Sequence, residues 1–112
     1  GEVATTTQAL VIQRIAEGAA RYVVDQDRES SEPRLFKLIQ FSETHATNED
    51  LIREQIQALN LEILGQDVEL NSAQIDAQFE LWVELYEVEH NPSSAWAGLL
   101  SVMLRDPDFL FF

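Results

Sequence analysis

The sequence predicts an all-α protein, a compact bundle of about five helices with one of them short. Three observations lead there. Apolar residues recur at three- and four-residue steps over five stretches. Connections of two to nine residues join these stretches, which favours antiparallel neighbours. No stretch alternates apolar and polar residues over a strand's length, and no Asn-Gly hairpin signal occurs. A chain of 112 residues is expected to be a single helical domain, with roughly two-thirds of its unfolded surface buried.

The first helix is expected over about residues 6–24, capped by Thr5, Thr6 or Thr7. Ile12, Ile15, Ala16, Ala19, Tyr22 and Val23 form its buried stripe. A polar loop follows and ends at Pro33, whose missing N–H suits the first turn of a helix. That second helix is short, about residues 34–41, and presents Leu35, Leu38 and Ile39. The third starts near Thr47, where Thr47-Asn48-Glu49-Asp50 resembles a capping box, and Leu64 with Gly65 ends it. Asn71 or Ser72 opens the fourth, with Ile75, Phe79, Trp82, Val83 and Tyr86 on one face and Asp76, Glu80, Glu84 and Glu87 on the other. Asn91-Pro92 starts the fifth, which carries Trp96, Leu99, Leu100, Met103 and Leu104 until Asp106-Pro107 stops it. The expected core is Ile56, Leu59, Ile63, Phe79, Trp82, Tyr86, Leu100 and Leu104. Phe109-Leu110-Phe111-Phe112 is expected to fold back on the bundle, or to mark a cut inside a longer protein.

Composition excludes several functions. There is no cysteine, hence no disulfide, thiolate zinc site or thiol catalysis. Twenty acids against seven bases give a net charge of −13, which opposes nucleic acid and anionic membranes. The charge is lopsided: residues 1–37 carry five bases and six acids, whereas residues 38–104 carry twelve acids and the single base Arg53. Such a surface is either a solvated face or a contact for a cationic partner. No signal peptide, membrane-spanning run or lipidation motif is visible, and the chain begins at Gly1, as expected of a processed or excised piece of a larger protein.

Four constellations invite a chemical reading, and each has a plainer one. Glu87-x-x-His90 has the spacing of a di-iron ligand pair, yet a second such pair and two more carboxylates would be needed. A histidine near a helix C-terminus is also favoured by the dipole alone. Asp25-x-Asp27-x-Glu29 opens like a calcium loop, but Ser30 stands where glycine is required and Phe36 where glutamate is. Glu43-x-His45 lacks any nucleophile in a triad context. Trp82, Tyr86 and Trp96 sit at helical spacing, which reads as core, or as the lining of a ligand pocket. The four glycines are scattered and form no phosphate loop. No catalytic residue and no metal ligand is therefore assigned.

Leu59-x-Leu61-x-Ile63-Leu64-Gly65, then Ile75, then Ala95-Trp96 and Leu99-Leu100-x-x-x-Leu104-x-Asp106-Pro107-Asp108-Phe109-Leu110 form a pattern over about residues 50–112. It resembles a helical module of the large exported cytochrome-c-associated bacterial proteins of planctomycete and myxobacterial type. Phe111 stands at that module's aromatic position. The resemblance implies the periplasm or cell envelope and a place within or beside a larger assembly. It carries over no catalytic residues. The chain has no Cys-x-x-Cys-His motif, so covalent haem is ruled out.

Together these readings give an acidic, non-enzymatic helical domain without a cofactor. It is expected to act as a structural or protein-interaction module of the bacterial cell envelope. The protein partner is met through the acidic surface or the C-terminal apolar tail, with no nucleic acid binding and no membrane insertion. The alternative is a bundle that binds a small molecule or cofactor in an aromatic-lined pocket.

Overall fold

Four helices build the chain in a computed structural model that describes residues 6–105: α1 (Thr6–Glu29), α2 (His45–Leu64), α3 (Ala73–Glu89) and α4 (Pro92–Leu104). No strand occurs among the described residues. The all-α expectation holds, with four helices rather than about five. None of them is long and apolar enough to cross a membrane.

α4 organises the fold, because it packs on all three other helices, whereas α1 packs on α4 alone. Its sequence explains this. α4 has no charged residue, and Ala95, Trp96, Ala97, Leu99, Leu100 and Met103 are all buried. A helix without charge and apolar over most of its surface goes to the interior, although Val102 remains 41 % exposed. Its start is as expected: Asn91 Oδ1 accepts the Ser93 N–H at 2.9 Å, and Pro92 occupies the first helical position.

α3 begins at Ser72, whose hydroxyl accepts the Ile75 N–H at 3.2 Å. Ile75, Phe79 and Trp82 are buried, Val83 and Tyr86 pack at the edge, and the acids lie outside. α2 starts earlier than expected and has two caps. Thr44 Oγ1 accepts the Ala46 and Thr47 N–H groups, while Thr47 Oγ1 accepts the Thr44 N–H at 2.9 Å. Asn48 then leaves helical geometry, and its side chain caps the helix again by accepting the Leu51 N–H. The end is as expected: Gly65 is left-handed, with φ 64°, and the Gly65 and Gln66 N–H groups close on Leu61 and Asn60 carbonyls.

Two further expectations are corrected. The buried stripe of α1 is Ala16, Ala20, Val24 and Asp27, while Ile15, Ala19 and Tyr22 face out and Ile12 and Val23 are half-buried. The small side chains at 16 and 20 let α1 lie close on α4, and this close fit turns the larger ones outward. The short helix over residues 34–41 does not form. Asp27, buried in the last turn of α1, accepts three successive backbone N–H groups, from Arg34 at 3.1 Å, Leu35 at 2.8 Å and Phe36 at 2.9 Å. Gln55 of α2 takes the Leu38 N–H and donates to the Leu35 carbonyl. Side chains thus satisfy the amides that a helix would have used. Phe36 and Ile39 plug the core instead, and Leu38 points out.

Of the expected core, Ile56, Leu59, Phe79, Trp82 and Leu100 are buried, whereas Ile63, Tyr86 and Leu104 are half-buried at its margin. The Phe109–Phe112 tail, expected to pack on the bundle, lies outside the described residues.

Replacing Trp82 by Ala is expected to cost about 3–5 kcal/mol, as truncation of a fully buried aromatic does. An unchanged melting midpoint would contradict that placement. Asp27→Ala is expected to cost about 2–3 kcal/mol, because three backbone amides, that of Phe36 buried, lose their shared carboxylate acceptor. Urea unfolding measures this, and a loss under about 1 kcal/mol would show that the loop holds itself without the carboxylate.

Candidate interaction surface

The acidic half of the chain is built from α2, α3 and the segments that flank them. α2 carries four acids and Arg53; α3 carries five acids and no base. Arg53 is consumed internally. Its guanidinium bonds Asp76 of α3 at 2.7 Å and Glu49 at 3.4 Å, and it lies over the Phe79 ring at 4.4 Å. The hydrogen bond to Asp76, aided by both carboxylate charges, holds the Arg53 pKa above its ordinary value despite some desolvation. The single base of residues 38–104 therefore joins α2 to α3 and leaves the surrounding acids uncompensated.

An apolar groove of about 450 Å³ opens within this acidic region. Ala58 and Leu61 of α2 line it, with Leu38 from the loop before α2 and Leu70 from the segment after it. Glu54 and Asp67 bring carboxylates to the same groove, and no base lines it. Leu38 is 45 % and Leu61 54 % exposed, so apolar surface is in water. The walls are braced by amides. Gln55 holds the Leu38 segment as described, and Gln57 donates to the Val68 carbonyl at 2.9 Å. Asn60, fully buried, exchanges hydrogen bonds with Gln78 and accepts one from Gln74, which also donates to Gln66. A second groove, about 550 Å³, runs between α1 and α3 over α4. It is larger, but Glu17, Arg21, Glu89 and Arg105 give it both signs of charge.

The residues singled out from the sequence are arranged as follows. His90 takes a left-handed conformation at the end of α3, with φ 53°, and its ring packs edge-on against Tyr86. Glu87 instead approaches His45, with its Oε1 3.9 Å from Nε2. Glu43 turns to the Gln40 N–H and the Asn48 amide, while the His45 ring packs on Trp82 and Tyr86. The structure thus separates Glu43 from His45 and brings His45 to Glu87. Asp25 pairs with Arg28 and Asp27 holds the loop, both in the last turns of α1 rather than in a cation loop. No group of three or more potential metal ligands gathers among the described residues. Trp82 stacks on Tyr86 at 5.6 Å and meets Trp96 edge-on at 5.6 Å; both tryptophans are fully buried. Neither groove is lined by these rings.

No protein-family model matches the chain, and no curated protein or solved structure matches it.

Three polar residues that matter here, Asp27, Gln55 and Asn60, were not singled out for these roles by sequence reasoning. A signal existed for two of them. Gln55 and Asn60 sit beside Ile56 and Leu59 at core spacing, where a polar side chain must find a buried partner.

Arg53→Ala is expected to lower stability by about 1–2 kcal/mol through loss of the ion pairs and of the contact with Phe79. Thermal melts at low and high salt test this. The difference from wild type should shrink with salt, and a salt-independent loss would assign the effect to packing alone.

Proposed function

We propose that this protein is a non-catalytic interaction module that takes a basic, amphipathic segment of a partner protein on its acidic helical surface. The observation that carries the reading is the groove of Leu38, Leu61 and Leu70, beside Glu54 and Asp67, in a half of the chain whose single base is already paired. A helix with leucine-type anchors on one face and lysines beside them fits such a groove by shape and charge. The amide bracing supports binding without large rearrangement, because the walls are held before the partner arrives. A place in the bacterial cell envelope, beside a larger assembly, belongs to the same proposal. It rests on the helix-and-ending motif of residues 50–112 alone.

A fluorescently labelled helical peptide with leucines on one face and lysines on the other is the probe. Wild type should bind it in an anisotropy titration, and salt should weaken binding. Leu61→Glu, or Glu54→Lys with Asp67→Lys, should weaken it by about ten-fold or more, as loss of an anchor or of charge complementarity does. Equal binding by wild type and the charge-reversed variant would overturn the proposal.

A further inference from the structure

α1 carries a second apolar stripe that the bundle does not use. Val11, Ile15, Gly18 and Tyr22 recur at four, three and four residues, on the face opposite Ala16, Ala20 and Val24. Val11 is 50 %, Ile15 66 % and Tyr22 65 % exposed, and Leu10 beside them is 52 %. None of residues 6–15 is buried. Single exposed apolar side chains are ordinary, but an aligned row on one helix is a contact surface without its counterpart.

Gly18 lies in the middle of this row. A Cβ there would meet nothing within 4 Å, so the bundle does not require glycine, although glycine weakens a helix interior. What a missing side chain does allow is the close approach of another helix. Charge restricts which helix can approach. α2 carries a net −3 and α3 a net −5, whereas α1 carries three bases and four acids. In a chain of net −13, α1 is the exposed helix on which two copies repel least.

We propose that the partner of this stripe is a second copy of the chain, joined as an antiparallel, twofold-symmetric pair of α1 helices. A self-complementary contact must oppose the stripe to itself. In the antiparallel register the spacing sets Ile15 against the partner's Gly18 and Val11 against the partner's Tyr22, so large side chains meet small ones. The surface is separate from the acidic groove, and the pairing leaves that groove free.

Sedimentation velocity across a micromolar to millimolar concentration series tests the pairing. Wild type should show a monomer–dimer equilibrium that salt tightens, because screening relieves repulsion between copies. Ile15→Glu should be monomeric throughout with unchanged helicity, since Ile15 does not belong to the core. Gly18→Gln should weaken the dimer by about ten-fold or more by filling the close approach. Leu61→Glu, in the acidic groove, should dimerise as wild type does, which separates this result from failure of the peptide-binding proposal. A wild type that is monomeric at every concentration overturns the inference, whether residues outside 6–105 or a different protein then cover the stripe. Dimers of Ile15→Glu as tight as wild type overturn it equally.

Discussion

The Asp27 carboxylate accepts three consecutive amides, and much of the architecture follows from that. A side-chain acceptor at the end of α1 dictates where the next segment must run, because Arg34, Leu35 and Phe36 have to present their N–H groups to one point. The chain there cannot be helical. It lays Phe36 against Trp96 and Phe41, with ring centroids 5.3 Å apart in both pairs, and so closes the core beside α4. Gln55 then grips the same loop from α2 on both a donor and an acceptor. One buried acid thereby couples the end of the first helix to the wall of the core and, through Leu38, to the wall of the acidic groove.

The helix beginnings and ends governed by a neighbouring side chain were legible in the sequence. Ser72, Asn91-Pro92 and Gly65 act within three or four residues of themselves, so no tertiary knowledge was needed to place them. The start of α2 is a local miss, since its capping box is Thr44 with Thr47, three residues before the expected one; the larger failures are non-local. Residues 34–41 have apolar spacing compatible with a helix, but their amides are claimed by Asp27 from the preceding helix and by Gln55 from the following one. α1 is apolar on two faces, and periodicity alone does not say which face meets α4. Ile15 and Tyr22 are larger and more apolar than Ala16 and Ala20, so a ranking by hydrophobicity chooses the wrong side. The acidic groove was visible only as a charge imbalance, because its apolar lining combines one helix with the loop on either side of it, which periodicity within a single helix does not bring together.

Two orphan donors mark the centre of the molecule. The indole N–H groups of Trp82 and Trp96 are buried and meet no hydrogen-bond partner among the described residues, and the same holds for Nδ1 of His45. Such groups normally cost stability. Here the rings form one continuous contact chain, from Phe41 through Phe36, Trp96 and Trp82 to Tyr86 and His45. The same chain explains why tryptophans at helical spacing are core in this fold. Each is enclosed by the next ring rather than by open space.

Charge is sorted among the helices by their position. α4 is uncharged because it touches all three others, α2 and α3 carry the acids outward, and α1 is nearly balanced. Repulsion among like charges on α2 and α3 would be tempered if a base lay between them, and Arg53 does that at one point, towards Glu49 and Asp76. The remaining carboxylates have no such compensation within their own half of the chain. A surface of this kind keeps copies of itself away and attracts cations. Under the proposed reading, an apolar groove placed within it would select among apolar partners by charge, repelling acidic amphipathic segments and drawing in basic ones.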